Sequence, residues 1–164
     1  MTKQGKIVPG SRVDLANSTI GVAVRTGTPK PKIDTLDALM RTMLQAKSIA
    51  YSTSASGVYL ERPFKRLGIA SQLDVKQVSD EPVGAVVARG EARLGFQQIS
   101  ELLPVPGLDF VGPIPAEIQE VTVFSAGIAA GAQEQDGGRT LIKFLSSPES
   151  APVIKKTGMD PRQE

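Results

Sequence analysis

A chain of 164 residues is long enough for one ordinary domain or two small lobes with separate cores. Its 40% hydrophobic and 22% charged residues exclude a disordered chain, and a net charge of +2 spread along the sequence offers no basic patch for nucleic acid or an anionic membrane, although the pI is near 9.0. Trp is absent and aromatic residues are only 4%, so single strands lack stacking platforms, and the absence of Cys and His removes thiol nucleophiles, imidazole bases and the usual zinc or copper ligands. No nucleic-acid partner, metal or cofactor is expected.

In chain order, residues 1–12 are polar with a turn at Pro9-Gly10; no apolar stretch follows residues 1–6, so no signal peptide is expected, and no run reaches transmembrane length. Residues 18–24 read as a strand, with Ile20, Val22 and Val24 alternating in a β-branched run. A Gly/Pro loop over 26–31 leads to a helix at 35–47, where Leu36, Leu39, Met40, Met43 and Leu44 recur at helical spacing behind a cap at Asp34 or Thr35. Then come a strand at 48–52, a Ser/Gly loop, a helix through Leu67 closed by Gly68, a strand at 75–78, a helix at 83–89 closed by Gly90 and a strand at 92–97. This alternation predicts a mainly parallel sheet covered by helices. Residues 108–111 read as an edge strand and 121–130 as a second long extended segment. Helices at 134–145 and 148–157 close the chain, the latter with Ser147 as cap and Pro148 at its first position.

The long strands near Ser18 and Val121 bracket a self-contained α/β unit, the layout of a two-lobed clamp joined by two crossing strands. A single three-layer α/β domain is the alternative that periodicity leaves open.

Several segments carry a resemblance: Lys3-Gln4-Gly5-Lys6-Ile7, the run from Ala16 to Val24, Lys47-Ser48-Ile49-Ala50-Tyr51 followed by Ser54-Ala55-Ser56-Gly57, Arg66-Leu67-Gly68-Ile69, Gly90-Glu91-Ala92-Arg93-Leu94-Gly95, and Ser147-Pro148-Glu149 with Gly158-Met159-Asp160-Pro161. In order and spacing the chain resembles the periplasmic molybdate-type solute-binding proteins of ABC transporters. The resemblance implies an α/β, type 2 periplasmic-binding-protein-like fold, with one complete lobe over residues 26–120. Residues 1–25 would be a remnant of lobe 1 with the first crossing strand, and 121–164 the second crossing strand with the returning helices. It also implies that the sequence starts near the end of the first lobe's first pass, that the protein is periplasmic, and that its partners are a small anionic solute and a membrane permease. Without the signal peptide, a complete natural product would instead be expected in the cytoplasm.

Two segments are candidate ligand sites. Ser52, Thr53, Ser54, Ser56 and Gly57 join a strand to a helix, where unpaired N–H groups, a partial positive charge and clustered hydroxyls suit a tetrahedral oxyanion and a glycine lets it approach the backbone. Plain N-capping by Ser54 or Ser56 is the other reading. Gln97, Gln98 and Ser100 lie at the C-terminal end of a strand, where open α/β sheets place ligands; a solvated helix start is the alternative. Here the sequence departs from the family pattern, which commonly has Tyr near Phe96 and a Thr-Asp pair behind it, and Glu101 would repel an oxyanion if it faced the cleft. Asn17, Ser125 and Gly127 lie on or beside the crossing strands.

The expected function is that of a non-catalytic binding protein for a molybdate-like anion. An effector lobe of a transcription regulator is an alternative, as is an enzyme using Glu61, Asp80, Glu81 or Glu101, although no acid pair is spaced for chemistry. A homo-oligomer is expected, assembled through the incomplete lobe and the apolar residues Leu141, Phe144, Leu145, Val153 and Ile154.

Overall fold

The computed structural model describes residues 4–162; the first three residues of the polar opening lie outside the described residues. The chain divides into two compact units, one formed by Thr19–Val121 and the other by the residues up to Ser18 together with those from Thr122 on. Strand β1 (Val13–Arg25) runs through the first boundary and β6 (Val121–Ala126) through the second.

In the unit Thr19–Val121, β1 is followed by α1 (Leu36–Ala46), β2 (Ser48–Ser52), α2 (Ala55–Arg66), β3 (Asp74–Val78), α3 (Val83–Ala88), β4 (Leu94–Gln98), a single turn α4 (Ile99–Leu102) and β5 (Leu108–Pro113). The strand order is β3-β2-β4-β1-β5. β2 pairs in parallel with β3 and β4, as the alternation of strands and helices predicts, but β1 pairs antiparallel with both β4 and β5, so the sheet is mixed. β1 precedes the first helix and is not delivered by a crossover from a neighbour, so nothing in the alternation constrains its direction. Its buried stretch at Ile20, Gly21, Val22, Ala23 and Val24 has apolar neighbours on both faces. On one side Ile20, Val22 and Val24 join Leu39, Met43, Leu60, Phe64 and Phe96; on the other, α3 packs Val83, Val86 and Val87 against Ala50. Phe96 is thus a core residue, fully buried and edge-on to Phe64 at 5.5 Å, and its lack of a hydroxyl suits that place.

Local chemistry sets the helix ends. Thr35 caps α1, its hydroxyl accepting from the Ala38 N–H at 3.1 Å, and Lys47 stops it in the left-handed conformation at φ 64°, the only positive φ outside glycine among the described residues. Serines 54 and 56 leave a shorter loop than expected, because α2 already begins at Ala55.

In the other unit, α5 (Gln135–Leu145) packs Gly138 against Ile128, and α6 (Ala151–Lys156) precedes β7 (Asp160–Pro161). The last helix begins three residues later than its Ser-Pro signal predicts. Ser147 does not cap it: its hydroxyl is buried without a partner, while Ser150 donates to the carbonyls of Leu145 and Ser147 and keeps the segment between in a turn. β1 also starts earlier than expected, at Val13, because β7 pairs antiparallel with Ala16 and Asn17 and β6 pairs with β1 too. β6 ends at Ala126, and beyond it only an isolated bridge from Ala129 to Ile7 continues the extended segment. No helix among the described residues is long and apolar enough to cross a membrane.

Asp14 ties this unit together. Its carboxylate accepts from the Ser125 hydroxyl at 2.6 Å and from Arg12, with Arg162 at 3.8 Å, and Ser125 first, then Arg12 and Arg162, hold its pKa below the ordinary carboxylate value. A carboxylate depressed on folding stabilises the fold above its ordinary value and loses that contribution as pH falls through the lower, folded one. Ser125→Ala is therefore expected to move the Asp14 titration midpoint upward and to narrow the pH window over which acid destabilises the fold. Carbon-detected NMR titration of the side-chain carboxyl measures it; an unmoved midpoint would show that the arginines, Arg12 and Arg162, set it without Ser125.

Candidate functional site

The parallel strands β2, β3 and β4 end at one edge of the sheet, and α2, α3 and α4 each begin there. Tyr51 is opposite Phe96 in the parallel ladder, so Ser52 and Gln97, one residue on in each strand, are brought side by side. The two candidate segments of the sequence are thus neighbours on adjacent strands.

In the first segment Ser52 and Ser56 are buried while Thr53 and Ser54 are exposed. Ser54 occupies the N-cap position of α2 with extended backbone, yet its hydroxyl caps no amide; it bonds the Ser52 hydroxyl at 2.5 Å, and the Ser56 hydroxyl lies 3.4 Å from the same oxygen. The first helical carbonyl acceptor is Ser54, taken by the Val58 N–H, and the Thr53 N–H is spent on the Val78 carbonyl. The amides of Ala55, Ser56 and Gly57 therefore open the helix without a side-chain cap. Capping by Ser54 or Ser56, the alternative the sequence left open, is not what these hydroxyls do. The serines form a cluster whose free lone pairs and protons lie beside uncapped amides and the positive end of a three-turn helix.

Gly57 has a different task from the one its type suggests. A Cβ built on it would stand 1.6 Å from the Ser52 carbonyl oxygen and 3.0 Å from the Tyr51 ring. The close approach is between the start of α2 and the end of β2, and it folds the helix entrance back over the strand that feeds it.

In the second segment Gln97 and Gln98 are both buried and Ser100 is half-buried. Gln97 is engaged at both ends: its Oε1 accepts from the Val83 N–H at 3.1 Å, capping α3, and its Nε2 donates to Glu101. Gln98 stands opposite Ile20 in β1. Gln97, Ser100 and Glu101 border an open groove that continues over Ser79, Asp80 and Glu81. The capping role of Gln97 was not legible, because the α3 start and the β4 end are fourteen residues apart in sequence.

The remaining acids are mostly engaged. Glu81 makes a two-pronged pair with Arg89 at 2.7 Å for each bond, which holds its carboxyl below the ordinary range, and Glu61 accepts from Gln77 at 2.6 Å. In the other unit, Ser125 serves Asp14, Asn17 Oδ1 is buried without a partner, and Gly127 carries no positive φ but lies against Ile7. Among the described residues no group of three or more acidic, His or Cys side chains could hold a metal ion.

Residues 1–160 match the family described as bacterial extracellular solute-binding protein. The chain belongs to that family. Its sequence is 45% identical to an aconitate isomerase of Pseudomonas sp over 98% of this chain and 63% of that protein. It is 24% identical to a molybdate-binding protein of Rhodobacter capsulatus, over 95% of this chain and 62% of the relative. The chain thus spans about three-fifths of the length of these curated relatives. Among solved structures it is similar to the Azotobacter vinelandii periplasmic molybdate-binding protein, with a TM-score of 0.71 at 22% identity, covering 98% of this chain and 72% of the other. The periplasmic-binding-protein fold read from the sequence is therefore the fold of this chain.

One expectation is overturned. The sequence was read as that of a non-catalytic protein because Cys, His and paired acids are missing, yet a relative at 45% identity carries the name of an enzyme. Without Cys and His these 164 residues offer no thiol nucleophile and no imidazole base, but proton transfer needs only a single positioned carboxylate or phenol.

The Gly57 contact yields a direct expectation. Gly57→Ala forces backbone at the start of α2 to shift and should lower stability by about 2 kcal/mol or more, in the range of overpacked sites, whereas Gly131→Ala, with nothing within 4 Å, should be close to neutral. Urea unfolding of the two variants compares them; equal midpoints would show that the helix entrance yields freely.

Proposed function

We propose that the unit Thr19–Val121 is the anion-holding lobe of a solute-binding-type protein, and that its ligand is a compact polycarboxylate such as aconitate, which the whole protein isomerises. The observation that carries the reading is the uncapped start of α2, where the amides of Ala55, Ser56 and Gly57 adjoin the hydroxyls of Ser52, Ser54 and Ser56. A carboxylate seated there exchanges water for neutral donors and the helix dipole. Thr53, Gln98 and Ser100 flank the cradle on the same sheet edge, and Gln97 shapes it by fixing α3 and Glu101. Glu101, held by one amide and bordering the groove, is the group we assign to proton transfer; Glu81 is already committed to Arg89. The choice of a carboxylate follows the 45% identical relative.

Calorimetric titration of the chain with aconitate and with molybdate tests the reading, and proton NMR of incubated aconitate follows isomer conversion. Aconitate should bind, and the double variant Ser54→Ala, Ser56→Ala should weaken it by about tenfold or more, the worth of hydrogen bonds to a charged group. Undiminished affinity would return the serines to a purely structural role. Preference for molybdate would favour the second reading, a molybdate-type receptor delivering its anion to an ABC permease in the periplasm, which the 24% identical relative supports.

Assembly belongs to the same proposal. Leu141, Phe144 and Val153 are more than half exposed, whereas Leu145 and Ile154 are half-buried. A homo-oligomer formed through these helices would cover them. Sedimentation over a dilution series should show mass above that of one chain, shifted toward monomer by Phe144→Ser; a monomer at every concentration would end this idea.

A further inference from the structure

Gln119 lies between a 3-10 turn (Ala116–Ile118) and β6. Its side-chain oxygen accepts from the N–H groups of Ile20 at 2.9 Å and Glu120 at 3.1 Å, and its Nε2 donates to the carbonyls of Ile20 at 2.9 Å and Ile114 at 3.3 Å. Two acceptor sites and two donors are the full capacity of a primary amide.

The place of these bonds matters more than their number. β5 is paired with β1 from Gly21 to Arg25 and stops there, while β6 also pairs with β1. Ile20 is the next residue of β1 beyond the β5 register; its carbonyl still accepts from the Ile114 N–H at 3.1 Å, and the Gln119 amide meets it with one donor and one acceptor, as a residue of a neighbouring antiparallel strand would. Both passages of the chain between the two units leave Thr19–Val121 at this point, one just before Ile20 and the other just after Gln119 and Glu120. The Gln119 carbonyl in turn accepts from the Tyr59 hydroxyl at 3.2 Å, and Tyr59 is four residues after Ala55, on the first turns of α2.

We infer that Gln119 and Tyr59 are positioning residues: Gln119 clasps the two passages to each other, and Tyr59 ties that clasp to the helix whose N-terminus forms the anion cradle. Occupancy of the cradle, which fixes the start of α2, is then felt at Ile20 and Glu120 through a phenol and an amide. The ligand side of this inference rests on the cradle reading above; the clasp itself does not.

Backbone amide exchange followed by NMR on the full chain separates the two. Without ligand, Gln119→Met should speed exchange at Ile20 and Glu120 by about tenfold, the loss of one or two net hydrogen bonds from a local opening, with Met43 and Ile49 unchanged. Unaltered exchange at Ile20 and Glu120 overturns the clasp even if anion binding is intact. With saturating aconitate, wild-type exchange at these two amides should slow by at least about threefold beyond any change at Ile49, a local stabilisation of under one ordinary hydrogen bond. Tyr59→Phe, which keeps the ring and removes only the hydroxyl, should abolish that excess while still binding; because it leaves the Gln119 amide in place, it decides the coupling even if Gln119→Met unfolds. An excess of wild-type size in Tyr59→Phe, or none in a wild-type chain that calorimetry shows to be saturated, overturns the coupling. No binding of aconitate or molybdate overturns the cradle and the coupling together, and the ligand-free exchange then decides the clasp alone.

Discussion

The ladder along β1 is the constraint on which the rest of the molecule depends. One strand of thirteen residues meets β4 and β5 over its second half and β7 near its first, and β6 pairs with it as well. Its burial pattern changes along its length: alternate residues are buried at Ala16, Ser18 and Ile20, then every residue from Ile20 to Val24. A strand that is half-solvated at one end and sandwiched at the other can satisfy both patterns only if its register is fixed, because a slip of one residue would turn Ile20, Val22 and Val24 away from Leu39, Phe64 and Phe96. Once β1 is fixed, β4 and β2 follow in the sheet, and with them the edge from which α2, α3 and α4 start.

That edge is where the sequence was informative and where it ran out. Thr35 and the Leu/Met stripe behind it identified α1, and the run at Ser48–Ser52 coincides with β2, because both are decided by neighbours within a few residues. What depends on distant partners was not legible. Val13 and Asp14 look like loop in isolation and become strand only because distant parts of the chain, β6 and β7, pair with β1. The antiparallel insertion of β1 between β4 and β5 leaves no trace in the order of elements. At the candidate site, the residue types were read as donors for a ligand, but only the folded chain shows that Ser54 turns from its own helix toward Ser52, that Gln97 is committed to Val83 and Glu101, and that Gly57 makes room for a carbonyl.

The similarity to an isomerase changes how a chain without His or Cys is to be read. A receptor and an enzyme on this scaffold need the same first step, desolvation of an anion by neutral donors that are already oriented. They differ in whether an ionisable group stands near the bound ligand. A carboxylate in that place weakens the binding of an anion, which is a defect in a receptor and a requirement for proton transfer. In the proposed reading Glu101, held by Gln97 beside the groove, is that group, and the bond from Gln97 links the cap of α3 to its side chain.

The bonds around Gln119 involve no charged atom: backbone amides and carbonyls, one carboxamide and one phenol make up the whole set. Dissolved salt screens charge but does little to short neutral hydrogen bonds, with a Debye length of about 10 Å at 0.1 M. In the proposed reading the cradle at α2 takes a charged ligand and is therefore sensitive to ionic strength, whereas the neutral bonds of Gln119 are not. Across a change from dilute to saline surroundings, occupancy of the proposed cradle would vary while the neutral bonds around Gln119 persisted, so binding and local fastening would have separate environmental sensitivities.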